Sequence, residues 1–197
     1  MTQTYQIVIG FSELLKKRRG HSKGTHIRQP AFSFHNLSLI LERGRASAKR
    51  SFVGSSPITP VVLEARAIGY EVCILEKVEK ERPLRYSSSS GSETPQKKRL
   101  RKVEQGVDEI IHLKILESVL DFPPSTVVLA SGDAAVGEYS PGFFRAVERC
   151  LERGWKVELA SFKPSLSWVY SKKPFLKQWG SAFTLVLLDD FVEELLG

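Results

Sequence analysis

The feature that most constrains the fold is a series of short apolar runs, rich in β-branched residues, that recur along the chain. They are YQIVI (5–9), SFV (51–53), EVCIL (71–75), TVVLA (126–130), KVELA (156–160) and TLVLL (184–188). Several of these runs are continuously apolar rather than alternating, as in strands that are covered on both faces. We therefore expect a buried and mainly parallel central sheet.

Segments with helical periodicity separate these runs. Apolar residues recur at helical spacing through 104–120, and they do the same through 140–153, just before Gly154. Residues 57–68 form a third such unit, which ends at Gly69, directly before the EVCIL run. Glycine just past a periodic segment is a common end of a helix. Helices that alternate with buried strands predict an α/β fold with right-handed crossovers.

Length and composition predict a single domain that spans residues 1–197. The 197 residues are 42% hydrophobic, which is enough for a sizeable core. No apolar stretch approaches the roughly 20 residues that cross a bilayer, and the N-terminus shows no signal peptide. We expect no membrane partner and an intracellular protein, nuclear or cytoplasmic. Cys73 and Cys150 lack a metal-type spacing and are expected to be reduced core residues.

The formal net charge of +7 favours an anionic partner such as nucleic acid. Residues 16–29 are basic and contain no acid, and residues 80–102 are polar, serine-rich and then basic. The second segment lacks apolar periodicity, which predicts a disordered basic insertion at about 80–102. Its basic end is typical of a nucleic-acid arm or a nuclear-import signal, and equally of a solvated loop. The candidate RNA-binding cations in the two segments are Lys16, Lys17, Arg18, Arg19, Lys97, Lys98, Arg99 and Arg101.

A Ser-Gly-Asp sequence follows the TVVLA run directly. Ligands of open parallel sheets bind beyond the carboxyl ends of the strands, and a tight turn at Gly132 would place Asp133 in such a crevice. A second acid, Asp108, falls in the first turn of the helix predicted within 104–120. Taken singly, Asp133 is also typical of an Asx turn, and Asp108 of an acid that the helix dipole favours.

Together with their surroundings, these acids resemble a known family. VEQGVDEIIHLKIL, a strand that ends in ASGDAA, and EYSPGFFRAVERCLERGWKVELASF are similar to the NYN domain, a member of the PIN-like nuclease group, and most similar to fungal NYN-domain proteins. FVGSSP (52–57) and GYEVCILEK (69–77) occur in the expected order, and the resemblance runs from Tyr5 to about Leu196. It implies a PIN-like three-layer sandwich with a mainly parallel central sheet, and a metal-dependent endoribonuclease.

The resemblance also implies a site, in which acids at the carboxyl edge of the sheet bind Mg²⁺ or Mn²⁺ and the metal activates water to cut RNA. Carried over by position, Asp108 and Asp133 would bind the metal and act in catalysis, with Glu138 as a further catalytic acid. Oxygen ligands of this kind suit hard divalent cations. Clustered carboxylates repel one another without a cation, so such a site would depend on its metal.

The first strand departs from the family pattern. Family members end this strand in an Asp followed closely by Ser and Asn, whereas here Gly10 takes the Asp position and Glu13 the Asn position. Glu13 is therefore the candidate replacement for the missing metal ligand. Ser12 is retained, and together with Ser131 it is a candidate for contact with RNA.

Three functions stay open, because Gly10 replaces a central acid. They are a metal-dependent ribonuclease with an altered acidic cluster, an RNA-binding protein of the same fold that has lost cleavage, and a protein-interaction module. The chain contains no phosphate-loop or dinucleotide fingerprint, which argues against a nucleotide cofactor, and its histidines lack zinc-ligand spacing. Trp155, Trp168 and Trp179 are expected to pack in the core rather than to stack on bases. Homo-oligomerisation is left open.

Overall fold

A computed structural model of the chain describes residues 5–10, 32–81, 100–131 and 142–196. Eight strands, numbered in chain order, are β1 (Tyr5–Gly10), β2 (Ser47–Ser55), β3 (Glu71–Leu75), β4 (Val78–Glu81), β5 (Leu100–Val103), β6 (Thr126–Ala130), β7 (Lys156–Ser161) and β8 (Phe183–Leu187). Six of them form one sheet in the order β3-β2-β1-β6-β7-β8, and every neighbouring pair in it is parallel. The predicted α/β class with a parallel central sheet is confirmed.

The helices of the described residues are α1 (Phe34–Glu42), α2 (Pro60–Ala67), α3 (Val107–Asp121), α4 (Phe143–Glu152), α5 (Lys173–Trp179) and α6 (Val192–Leu195). The three segments with helical periodicity correspond to α2, α3 and α4. In chain order, each of these helices lies between two strands of the sheet. Burial of its apolar side stabilises it more than intrinsic propensity does.

The sheet separates two hydrophobic cores. Along β6, Val127 and Leu129 belong to one core, which includes side chains of α3, α4 and α5. Val128 and Ala130 belong to the other core, which includes side chains of α1, α2 and α6. Successive side chains of a strand point to opposite faces, so helices cover both faces of β6. This explains why residues 127–130 of this strand are apolar without interruption.

Helix α1 is an element that the sequence analysis did not predict. Ser33 caps its N-terminus by accepting a hydrogen bond from the Asn36 backbone N–H at 3.1 Å. One of the side chains on its buried face is polar, Ser38, and its hydroxyl lies 2.9 Å from the Tyr70 hydroxyl. Burial raises the pKa of Tyr70 to about 12, so the phenol stays protonated and able to donate. This buried polar pair interrupts the apolar pattern that would have revealed the helix.

Strands β4 and β5 take up both ends of the segment 80–102 that the sequence analysis treated as a disordered insertion. They pair in antiparallel register, with Lys80 opposite Arg101 and Glu79 opposite Lys102, and they form a sheet of their own. We call this pair the β4–β5 ribbon. The remaining residues of the segment, 82–99, lie outside the described residues.

Candidate functional site

The sheet order reverses between β1 and β6, which are neighbours. From β1 the chain continues to β2 on one side, and from β6 it continues to β7 on the other. In sheets of this kind the crevice that binds ligands opens at the carboxyl ends of the two strands that flank the reversal. Ile9 pairs with Ala130 in the register of β1 and β6, so Gly10 and Ser131 follow side by side at this edge. Gly10 and Ser131 therefore lie at the edge where the sequence predicts a site.

Ser131 is fully buried at the carboxyl end of β6. Within the described residues its Oγ has no hydrogen-bond partner. A buried hydroxyl without a partner costs roughly 1–3 kcal/mol, and such groups are uncommon in folded proteins. Its counterpart on the next strand, Ser161, is equally buried but donates to the Phe162 carbonyl at 3.1 Å. Ser131 is thus a buried hydroxyl at this edge whose hydrogen-bond partner does not lie among the described residues.

Helix α3 brings Asp108 to the same side of the molecule. The helix packs against β1 and β2, and its N-cap is Gly106, whose φ of 81° lies in the left-handed region. A Cβ atom at Gly106 would lie 3.3 Å from a methyl group of Leu75, the last residue of β3. Just before it, Glu104 accepts a hydrogen bond from Ser55 at the end of β2. These contacts fix the N-terminus of α3, with the half-buried Asp108 in its first turn, at the carboxyl edge of the sheet.

His112 lies one helical turn after Asp108 and joins α3 to the start of α4. Its ring centroid is 4.7 Å from that of Phe143, and it forms a hydrogen bond with the backbone of Gly142. Burial is the main reason that the pKa of His112 is lowered, which favours the neutral imidazole. Gly142 is the residue at which the described chain resumes after the Ser-Gly-Asp segment. The first turns of α3 are therefore in contact with Gly142 and with the start of α4.

Most of the other predicted site residues lie outside the described part of the chain. They are Ser12, Glu13, Lys16, Lys17, Arg18, Arg19, Lys97, Lys98, Arg99, Asp133 and Glu138. Within residues 5–10, 32–81, 100–131 and 142–196, no three His, Cys, Asp or Glu side chains are grouped as metal ligands would be. Asp108, Ser131 and Arg101 are the described members of the predicted site, and the cluster of three or more acids stays a prediction.

Arg101 lies in β5 and is exposed. Residues directly opposite each other in an antiparallel pair share one face, so Arg101 and Lys80 lie on the same face of the β4–β5 ribbon. Like charges in this position repel, whereas Glu79 and Lys102 on the other face attract. One face of the ribbon is therefore basic, and the sequence places Lys97, Lys98 and Arg99 directly before β5.

The structure adds two acids at the carboxyl edge that the sequence analysis did not single out. Glu104 is joined to Ser55, as described above, and Asp189 follows β8 and accepts a hydrogen bond from the Lys163 backbone N–H at 2.7 Å. The signal for Asp189 was present in the sequence, since an apolar run is followed at once by Asp189 and Asp190. Glu104 gave no comparable signal, because its partner lies on a distant strand.

The three tryptophans do not share one environment. Trp155 is buried in the core, as expected, and Trp179 packs against it partly buried. Trp168 is 69% exposed, so the expectation of core packing is wrong for this residue. The turn that carries it buries its neighbour Tyr170 instead, which leaves the indole on the outside.

Comparison with known proteins leaves the family of the chain open. No protein-family model matches the sequence, and no curated protein does. Among solved structures, the chain is similar to the crystal structure of a protein of unknown function from Vibrio parahaemolyticus, with a TM-score of 0.56 and 16% sequence identity. The match covers 96% of this chain and 94% of that one. At this identity the likeness shows a shared fold alone, and membership of the NYN family stays a prediction.

No helix among the described residues has both the length and the apolar composition required to cross a bilayer.

Proposed function

We propose that the chain is a metal-dependent endoribonuclease of the NYN/PIN-like group, with its site at the carboxyl ends of β1 and β6. The observation that carries the proposal is the reversal of the sheet order between these strands. The N-terminus of α3 with Asp108 lies at the edge where such a reversal opens a crevice, and so does Ser131, whose hydroxyl has no partner within the described residues. The resemblance of the sequence to PIN-like nucleases supports the same reaction.

The donor set fits a hard divalent cation. Asp108 and Ser131 offer oxygen atoms only, and Asp133, Glu138 and Glu13 would add carboxylates. Asp108 and Asp133 would hold the ion, and Glu13 would supply a carboxylate in place of the missing first-strand Asp. When bound, Mg²⁺ or Mn²⁺ lowers the pKa of water and offsets the charge that develops on the phosphate.

Other residues of the site would position the RNA. The Ser131 hydroxyl can donate to a phosphate oxygen at the end of β6. The basic face of the β4–β5 ribbon, with Lys80 and Arg101, can neutralise backbone phosphates. RNA would then lie across the carboxyl edge of the sheet. The carboxylates would be near the scissile bond, and the cations would bind the phosphates on either side of it.

An RNA-binding protein of the same fold without cleavage is the second candidate. It is favoured by one observation, Gly10 at the end of β1, because a central acid of the related nucleases is absent there. RNA binding through the ribbon does not depend on that acid. The two candidates differ in metal dependence, since binding persists without a divalent ion and cleavage does not.

A cleavage assay with a fluorescent single-stranded RNA in Mn²⁺ and in EDTA tests the proposal. We expect Mn²⁺-dependent cleavage by the wild type and its loss in Asp108→Asn. Asp121→Asn is the matched control, because Asp121 is an exposed acid at the other end of the same helix. Cleavage that survives in EDTA, or that Asp108→Asn and Asp121→Asn reduce equally, would contradict the proposed site. RNA binding without any cleavage would favour the second candidate.

A further inference from the structure

The connection between β7 and β8 is basic throughout. Residues 162–182 contain no Asp or Glu. Their four lysines, all exposed, are Lys163, Lys172, Lys173 and Lys177. Among the described residues, none of these four ammonium groups forms an ion pair with an acid. The connection therefore presents positive charge that no acid of the described residues neutralises by an ion pair, which suits an anionic ligand.

Trp168 lies within this basic connection. Its side chain is 69% exposed, although indole is the largest apolar group available to a core. The Nζ atom of Lys172 lies 3.8 Å from the centroid of its ring, in a cation–π contact. Such contacts contribute about 0.5–1 kcal/mol at exposed sites, too little to explain why an indole is kept in water. The pair places a flat aromatic surface and a cation side by side.

The turn that carries Trp168 is anchored. Tyr170, two residues later, is fully buried, and its ring centroid lies 5.6 Å from that of Phe144 and 6.0 Å from that of Phe183. Leu166 and Val169, on either side of Trp168, also pack against the core. The backbone of Trp168 is thus held by buried neighbours while its side chain is exposed. An aromatic group on a fixed base loses less conformational entropy when a ligand binds.

We infer that Trp168 is a stacking platform for a base of single-stranded RNA, and that Lys172 and the other lysines of the connection bind the adjoining phosphates. Single-strand binding proteins combine these two features, because every base has a π face and every phosphate is anionic. The connection begins at the same carboxyl edge of the sheet as the proposed site, since Lys163 follows β7 and its N–H donates to Asp189, just after β8, at 2.7 Å. The inference rests on the proposed function only in taking RNA as the partner.

The test is a binding titration in EDTA with a fluorescently labelled single-stranded RNA of roughly 12 nucleotides. Trp168→Ala should weaken binding roughly 5- to 150-fold, the range expected for the loss of one stacked base. Trp168→Phe, which keeps an aromatic face, should restore most of the affinity, and Trp168→Leu, which keeps only apolar bulk, should not. Leu120→Ala removes a 79% exposed apolar side chain elsewhere and should bind RNA like the wild type.

The salt dependence separates stacking from charge. Lys172→Gln together with Lys173→Gln should flatten the plot of log affinity against log salt by up to about 1.4, whereas Trp168→Ala should lower affinity with the slope unchanged. A duplex RNA of the same sequence, with its bases already stacked, should not distinguish Trp168→Ala from the wild type. Single-stranded DNA that binds as tightly as RNA, with the same loss in Trp168→Ala, supports the platform and shows that it does not read the 2′-hydroxyl.

Equal RNA affinity of Trp168→Ala and wild type would overturn the inference, as would a wild type that does not bind single strands. Because the titration contains no divalent ion, its result is independent of cleavage. Loss of binding in Trp168→Ala by a protein that never cleaves RNA supports the platform and rejects the proposed nuclease. Cleavage by the wild type, with no effect of Trp168→Ala on binding, supports the proposed nuclease and rejects the platform.

Discussion

The hydroxyl of Ser55, in the last position of β2, donates a hydrogen bond to the carboxylate of Glu104, 49 positions later in the chain. Glu104 lies just before α3, so this bond joins the carboxyl edge of the sheet to the helix that carries Asp108. The Ser56 N–H also donates to the Leu75 carbonyl at 2.8 Å, which holds the ends of β2 and β3 together. The position of Asp108 is thus set by contacts that are distant in sequence.

Removal of the Ser55 hydroxyl should therefore destabilise the protein. We expect Ser55→Ala to lower the free energy of unfolding by about 1–2 kcal/mol, because Glu104 loses a donor in a partly buried position. Urea unfolding monitored by circular dichroism measures the change. Ser171→Ala is the control, because this exposed serine has no comparable side-chain bond within the described part of the chain. Equal effects of the two substitutions would show that the Ser55–Glu104 bond contributes nothing to stability.

The strands that the sequence predicted best are those whose neighbours bury both faces. TVVLA matches β6 at every position, because all five residues are buried and all are apolar except Thr126. SFV captured only the buried part of β2, because residues 47–50 at the start of that strand are partly or fully exposed and include Lys49 and Arg50. The β4–β5 ribbon was missed since its sequences, VEKE and LRKV, are charged and lie on the surface. The apolar pattern of a strand reflects its burial, so exposed strands show little apolar pattern.

The residues of the candidate site also differ in whether the sequence could predict them. Ser131 could be predicted because it follows a buried strand directly, and Asp108 because it begins a periodic helix. Glu104 could not, since its role depends on Ser55, which lies on another strand. The exposure of Trp168 could not either, because the sequence WVY does not show which of its aromatic residues the core accepts. Local patterns predict elements, and tertiary contacts decide which side chains remain accessible.

The basic face of the β4–β5 ribbon should contribute to RNA binding. We expect Lys80→Gln with Arg101→Gln to weaken binding and to flatten its salt dependence by up to about 1.4 in log–log slope, because two phosphate contacts are lost. Arg66→Gln with Arg153→Gln, which removes the same charge from two exposed helix ends, is the control. If the ribbon variant leaves the salt slope unchanged, this face does not contribute to RNA binding.

The segment within the ribbon should be dispensable for folding. We expect replacement of residues 84–97 by a short glycine-containing turn to leave the melting temperature within roughly 3 °C of the wild type, because the segment is polar and the β4–β5 pairing is spared. Differential scanning calorimetry is the measurement. A much larger decrease would show that these residues pack against the domain.

Stability should depend on pH through His112. Burial lowers the pKa of His112 below its ordinary value of 6.5, so the unfolded chain binds this proton more tightly than the folded protein does. The free energy of unfolding is therefore fully retained above pH 6.5 and decreases as the pH falls below 6.5 and through the lowered folded pKa. We expect His112→Gln to reduce this decrease between about pH 5 and 7, and His35→Gln, at an exposed histidine, to leave it unchanged. Parallel curves for wild type and His112→Gln would contradict the assignment.

Restoration of the first-strand acid should strengthen the metal site. Gly10 follows Ile9, which pairs with Ala130, so an acid at position 10 would lie beside Ser131 at the switch of the sheet order. We expect Gly10→Asp to increase the affinity for Mn²⁺, because it adds a carboxylate to an oxygen-rich edge. Isothermal titration calorimetry measures this affinity. Gly10→Asn, which adds a side chain of the same size without its charge, is the control and should increase the affinity less.

The central claim is that Asp108 and Asp133 hold a divalent cation, and the shift in melting temperature on addition of Mn²⁺ tests it most directly. At a Mn²⁺ concentration about ten times the Kd, the wild type and Asp121→Asn should gain roughly 3–6 °C. Asp108→Asn and Asp133→Asn should gain nothing, and without metal they should be at least as stable as the wild type, because repulsion between carboxylates is relieved. No Mn²⁺ response from the wild type, together with none from Gly10→Asp, would contradict the metal site.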